Sequence, residues 1–291
     1  MATDPLRVGV VGLGQMGGGV ARNLAAQGLL TAAFDRKPEA GSDLAVPRLE
    51  ARDMVQAVDV LFCVTPSCLQ IADYLGDCET NDVTLIDLTT SDPKQSTALA
   101  KTLAPRGFHY IDAAMTGGAA GADAGTLTLM AGGDADRIAL CKPVIEAVSS
   151  RFFHLGPIGS GHAMKLIHNL ILHSAFMATC EGMRMAERAG LDLNEAVAVL
   201  NAGNARSFVT EVRFPRDILS GTLNGRSTIS NLAKDLNLGV NYAEALGGPA
   251  PFGGLTLSLL DAARDAGHAE TDFSNLFAMY ESLADTVAEE T

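Results

Sequence analysis

The chain has 291 residues, 47% of them apolar, enough for about two domains with real cores and far from a disordered composition. With 34 acidic against 21 basic residues, the net charge is −13, which argues against a nucleic-acid surface and an anionic membrane face. An anionic substrate therefore needs a locally basic site.

The start, Met1-Ala2-Thr3-Asp4-Pro5, runs straight into a strand-like stretch with no basic-then-apolar leader. From there β-branched runs at 7–12, 30–35, 59–64, 83–88, 108–113, 126–131 and 151–155 read as strands. Helical stretches at 16–27, 68–75, 94–104 and 134–149 alternate with them. That rhythm predicts an α/β fold: a Rossmann-type, doubly wound parallel sheet with helices on both faces. After Gly161 the rhythm stops. Residues 162–189 read as one long helix, followed by helices at 193–201, 206–219, 229–246, 253–266 and 272–288. The expected organisation is a dinucleotide-binding domain over 1–160 and an all-α substrate and oligomerisation domain over 161–291. The long helix carries Lys165 and three histidines and is a poor membrane span. The five cysteines are scattered without metal-ligand spacing, so a reduced, cytoplasmic protein is expected.

Gly12-Leu13-Gly14-Gln15-Met16-Gly17 follows the first strand and opens a helix. In that context the first glycine permits the tight turn, the second admits a pyrophosphate, and the third lets helix and strand pack closely. The helix N-terminus then offers N–H groups to the phosphates. Asp35 ends the second strand, where a carboxylate accepts hydrogen bonds from the ribose hydroxyls of NAD. Arg36 beside it is the feature that would instead suit the 2′-phosphate of NADP. NAD is the expected cofactor, with NADP as the alternative. Val64-Thr65 and Thr90 follow the third and fourth strands, where ligands sit in open α/β sheets. Ser67 and Ser91, in the same loops, read as helix caps.

Thr116-Gly117-Gly118 follows a later strand, and a hydroxyl before two glycines suits a small anion nest for a carboxylate. Lys165 lies in an apolar helix with no acidic residue until Glu181, and Asn169 shares its face one turn on. A buried, hydrogen-bonded lysine can exchange protons near neutral pH, whereas a snorkelling lysine is the plain alternative. His162, His168 and His173 lie on the same helix at spacings of six and five, which do not put three ligands on one face. They read as packed or hydrogen-bonded, with His162 near enough to Lys165 to line the site. Arg206 reads as a surface residue, with an anion contact as the alternative.

Taken in order, these motifs resemble the β-hydroxyacid dehydrogenase family over nearly the whole chain. The matching stretches are Gly12 to Gly17, Asp87-Leu88-Thr89-Thr90, Asp112 to Gly118, Gly159 to Asn169, Lys234-Asp235-Leu236 and Asp272-Phe273-Ser274. The resemblance implies that the first domain binds NAD or NADP, with the active site between the domains. By the same resemblance, Lys165 is the proton donor and acceptor for a substrate hydroxyl. Asn169 holds the substrate, Thr116, Gly117 and Gly118 cradle its carboxylate, and Lys234 lines the cofactor and substrate cleft. The implied reaction moves a hydride between the cofactor and the hydroxyl-bearing carbon of a small 3-hydroxy acid, in a homodimer or homotetramer. Imine reduction and a non-catalytic dinucleotide-binding role are the alternatives, and Lys165 argues against both. Two positions depart from the family pattern: Ala114-Met115-Thr116 stands for Pro-Val-Ser, and Ser227 for a common phenylalanine. Both leave the identity of the substrate open.

Overall fold

The computed structural model describes residues 5–80 and 82–289. Residues 1–4, on which the leader-free start rests, lie outside the described residues. The chain divides into two compact units, with the division after Lys165.

The first unit contains, in chain order, β1 (Val8–Val11), α1 (Gln15–Ala26), β2 (Leu30–Phe34), α2 (Ala51–Ala57) and β3 (Val60–Cys63). There follow α3 (Cys68–Leu75), β4 (Val83–Asp87), α4 (Pro93–Leu103), β5 (Phe108–Thr116), α5 (Gly118–Ala124), β6 (Leu127–Gly132), α6 (Ala135–Glu146) and β7 (Ser149–His154). The strands form one seven-stranded sheet in the order β2-β1-β3-β4-β5-β6-β7. The central strands β1, β3 and β4 are mostly apolar and buried throughout because both faces are covered, whereas β7 at the sheet edge is largely exposed. Side-chain alternation sends Val60 and Phe62 into one core layer and Leu61 and Cys63 into the other.

The sheet is the expected, mostly parallel one, with one pair of strands reversed. β1 to β5 run parallel, β6 pairs antiparallel with β5, and β7 pairs parallel with β6. A parallel return needs a crossover of about a dozen residues or more. The link from Thr116 to Leu127 holds only the short α5 between two turns, so the chain comes back in the opposite sense. The helix expected over 134–149 also ends earlier, because Ser149 already begins β7.

Helix α7 (Ser160–Arg188) crosses the division between the units. The second unit continues with α8 (Leu193–Ala202), α9 (Ile229–Ala245), α10 (Pro251–Ala263) and α11 (Leu276–Glu289). Helices α8, α9 and α11 fall where the apolar periodicity put them, within a few residues at their ends. Between α8 and α9, Val209–Leu219 is helical but wound with the wider i→i+5 bonding, and it contains Pro215. Its Phe214 is buried with Phe176 of α7 and with Phe273, whose ring meets Phe176 edge-on at 5.3 Å. Among the described residues no helix is long and apolar enough to cross a membrane.

Candidate active site

The glycine turn after β1 has the geometry its residue types suggest. Gly12 has φ +88°, and a Cβ there would stand 2.2 Å from the Val64 carbonyl oxygen. Gly17 allows no side chain either, since its Cβ would lie 1.8 Å from the Gly12 oxygen. Gly14, by contrast, meets nothing within 4 Å, leaving open space beside the start of α1. Asp35, half-buried just past β2, accepts hydrogen bonds from the Leu13 N–H at 2.6 Å and the Lys37 N–H at 2.8 Å. It therefore ties the glycine turn to the end of β2. Arg36 is exposed and makes a loose 3.9 Å ion pair with Asp73.

β2 and β3 flank β1, so the sheet reverses its winding direction at this point, where open α/β sheets bind ligands. Val64 and Thr65 follow β3 directly, and the Val64 N–H donates to the Val11 carbonyl at 2.7 Å. Thr65 turns the loop by donating to the Ser67 carbonyl. Thr90 stands half-buried after β4. Ser91 does cap a helix, but its neighbour's: its hydroxyl accepts the Cys68 N–H that opens α3, at 2.8 Å. The cap of α4 is Asp92.

Thr116 ends β5, and Gly117 and Gly118 follow with φ +124° and +63°, a left-handed pair that a side chain would strain. Thr116 is half-buried and both glycines are exposed to solvent. Lys165, in the second turn of α7, is also half-buried.

His162 does not line an open site. It is fully buried, with Nδ1 2.6 Å from the Ser96 hydroxyl and Nε2 3.9 Å from Asp87 Oδ1. Asp87 and Asp112 sit side by side on β4 and β5, both fully buried. Asp87 accepts from the Thr89 N–H at 2.8 Å and from the Tyr110 hydroxyl. Burial and the adjacent Asp87 charge push Tyr110 far above its ordinary pKa, so its hydroxyl stays a donor. Asp112 accepts from the N–H groups of Gly159 at 2.7 Å and His162 at 2.9 Å. Burial pushes its carboxyl above the usual range, against the opposing pull of His162 and these two donors.

In the second unit, Asn169 is buried, and its amide donates to Asp235 at 2.9 Å. His168 Nδ1 lies 3.1 Å from the Asn169 carbonyl oxygen. Lys234, exposed on α9, pairs with the other Asp235 oxygen at 3.1 Å. Asp235 thus links Asn169 to Lys234, a role that the Lys-Asp pair in the sequence does not by itself reveal. Ser227 stands half-buried before α9, its carbonyl accepting the Phe273 N–H at 3.1 Å. Arg206 is exposed and pairs with Glu211 at 3.7 Å. Among the described residues no cluster of His, Cys, Asp or Glu could hold a metal ion.

A glycine turn at the winding reversal, with a carboxylate at the end of the second strand, defines a dinucleotide-binding α/β unit. Residues 7–156 match the family described as the NAD binding domain of 6-phosphogluconate dehydrogenase. Residues 159–280 match the one described as NAD-binding of NADP-dependent 3-hydroxyisobutyrate dehydrogenase. The chain is 32% identical to an NAD-dependent L-serine dehydrogenase of Pseudomonas aeruginosa, over 92% of this chain and 95% of that protein. It is 30% identical to 3-hydroxyisobutyrate dehydrogenase of the same organism, over 94% and 98%. A solved 3-hydroxyisobutyrate dehydrogenase from Salmonella typhimurium is similar at TM-score 0.83 and 28% identity, covering 94% of this chain and 99% of that one. The chain belongs to the β-hydroxyacid dehydrogenase family. It is an NAD(P)-dependent oxidoreductase that transfers a hydride to or from the hydroxyl-bearing carbon of a small hydroxy acid.

Proposed function

We propose that Lys165 exchanges the proton of the substrate hydroxyl, that the Thr116-Gly117-Gly118 turn holds the substrate carboxylate, and that NAD is the preferred cofactor. What carries this reading is a half-buried lysine one helical turn before an asparagine whose amide is held by a carboxylate. A neutral lysine amine accepts a hydroxyl proton, and its charged form returns one to a developing alkoxide. Asn169, oriented by Asp235, offers its second amide hydrogen to the substrate, and Lys234 adds positive charge to a chain that is acidic overall. The nicotinamide, when bound, supplies the hydride acceptor or donor. Gly12 to Gly17 would hold its pyrophosphate, and Asp35 and Arg36 would face the ribose, with Val64, Thr65 and Thr90 beside them. The open space at Gly14 suits that fit. Asp35 favours NAD, because a carboxylate repels a 2′-phosphate.

The substrate is read as a small 3-hydroxy acid, with polar examples such as L-serine among the candidates. The similarity to the serine enzyme and the polar Ser227 support this. The experiment is a panel of 3-hydroxy acids and 2-hydroxy acids, amino acids and amines, followed by absorbance of the reduced cofactor. NADH formation is expected with 3-hydroxy acids, at about tenfold or greater preference for NAD over NADP in kcat/KM. Silence with all 3-hydroxy acids overturns the substrate class, and a large NADP preference overturns the cofactor choice.

The second unit also carries an apolar face suited to joining copies of the chain. A groove of about 680 Å³ is lined by Ala178, Gly182, Met183, Leu191, Val199 and Leu200. Val199 is 69% exposed and Leu191 59%. Like-charged acidic copies repel, so apolar contact has to supply the association. A homodimer or homotetramer is expected by light scattering. A monomer at the chain mass of 30.3 kDa overturns this reading. We assign the protein to the cytoplasm on its scattered free thiols.

A further inference from the structure

Asp112 has no contact role in the reaction described above, yet it is completely enclosed. A buried carboxylate is costly unless its oxygens are engaged. Here both are taken by backbone N–H groups at the start of α7, Gly159 on Oδ1 and His162 on Oδ2. The positive end of the helix dipole favours the anion in that place.

Steric contact reinforces these bonds. A Cβ on Gly161 would lie 2.2 Å from the Met130 oxygen and 2.9 Å from Asp112 Oδ2. A Cβ on Gly132, opposite Asp112 on β6, would lie 2.4 Å from the Pro157 oxygen and 2.9 Å from the Ser160 nitrogen. The first turn of α7 is thus pressed against β5 and β6 with no room between. His162 adds a side-chain tie to α4 through the Ser96 hydroxyl.

Two distances along the chain give this arrangement its meaning. Lys165 follows His162 by three residues of helix, a rise of about 4.5 Å. Thr116 follows Asp112 by four residues of strand, about 13 Å along β5 and on the same face. One carboxylate therefore fastens the helix that carries the lysine to the strand that ends in the anion turn.

We propose that Asp112 is a positioning residue: it sets where the Lys165 amine stands relative to the Thr116–Gly118 turn, with His162 as a second tie. This rests on the reading of Lys165 as the proton-transfer group. Asp112→Asn keeps the volume but turns one acceptor into an NH2 group facing an N–H donor, which loosens the first turn. Gly161→Ala loosens it independently, by steric contact.

The test measures kcat, KM and the NAD dissociation constant for Asp112→Asn, Gly161→Ala and Lys165→Ala. Misplacing a reacting group by about 1 Å costs up to about a hundredfold, so kcat is expected to fall by about ten- to a hundredfold in the first two variants. KM and the NAD dissociation constant should stay within about twofold, because the binding turns are untouched. Wild-type kcat in both variants, with Lys165→Ala inactive, overturns the positioning role and leaves the lysine reading standing. Equal losses in kcat and in NAD affinity also overturn it, because they mark a role in folding alone. If Lys165→Ala keeps substantial activity, the lysine reading falls and this proposal with it. If Asp112→Asn does not fold, kcat of Gly161→Ala decides.

Discussion

Lys165→Ala should lower kcat by about a thousandfold while the NAD dissociation constant stays within about twofold. General acid–base groups contribute roughly a hundred- to ten-thousandfold. The lysine stands half-buried in the second turn of α7, in the same unit as the glycine turn but outside its loop. Removing its amine leaves Gly12 to Gly17 and Asp35 as they were, so cofactor binding followed by NADH fluorescence is the control. Lys165→Arg separates proton transfer from simple charge. A guanidinium keeps the positive charge but does not deprotonate in a protein, so it cannot accept the hydroxyl proton. Oxidation of the hydroxy acid should therefore be as slow in the arginine variant as in the alanine variant. Alanine activity above a few per cent of wild type would remove Lys165 from the reaction.

The second large effect is expected in the glycine turn, where two neighbouring substitutions should behave differently. Gly12→Ala puts a side chain on a φ of +88°, 2.2 Å from the Val64 oxygen. Strain of about 1–3 kcal/mol from the backbone and a similar amount from overpacking should both appear as lost stability. Cofactor affinity should fall by at least about a hundredfold, because the end of β3 must move away from the turn. Gly14→Ala has φ −63° and open space around its Cβ. Its melting temperature should stay near wild type, while NAD affinity drops because the methyl group occupies the space a pyrophosphate needs. Denaturant melts and NAD titrations on the two variants check this. Normal NAD affinity in Gly14→Ala would mean that the cofactor does not approach the turn there.

Much of this was legible because each feature has a local cause. The seven strands follow from short apolar runs between turn residues, and the glycine turn from a spacing that has one stereochemical purpose. Lys165 and Asn169 share a helix face by periodicity alone. The direction of β6 was not legible: the run at 126–131 looks like any buried strand, and only the length of the connection after Thr116 decides its sense. The wide helical winding over Val209–Leu219 also escaped, since its apolar spacing suits an ordinary helix.

The polar network was the least visible part. Asp112 and His162 lie 50 positions apart, and nothing local says that a backbone N–H of one reaches the carboxylate of the other. Asp235 likewise reads as a surface neighbour of Lys234 until α7 and α9 bring it to the Asn169 amide. Periodicity, turn chemistry and the glycine loop act over a few residues, so composition and order were enough to give the α/β layering, the helical second half and the shared helix face of Lys165 and Asn169. The partners of buried carboxylates depend on which distant segments come together. Burial makes an unpaired charge costly, so those partners were selected by the packed core and not by any local pattern.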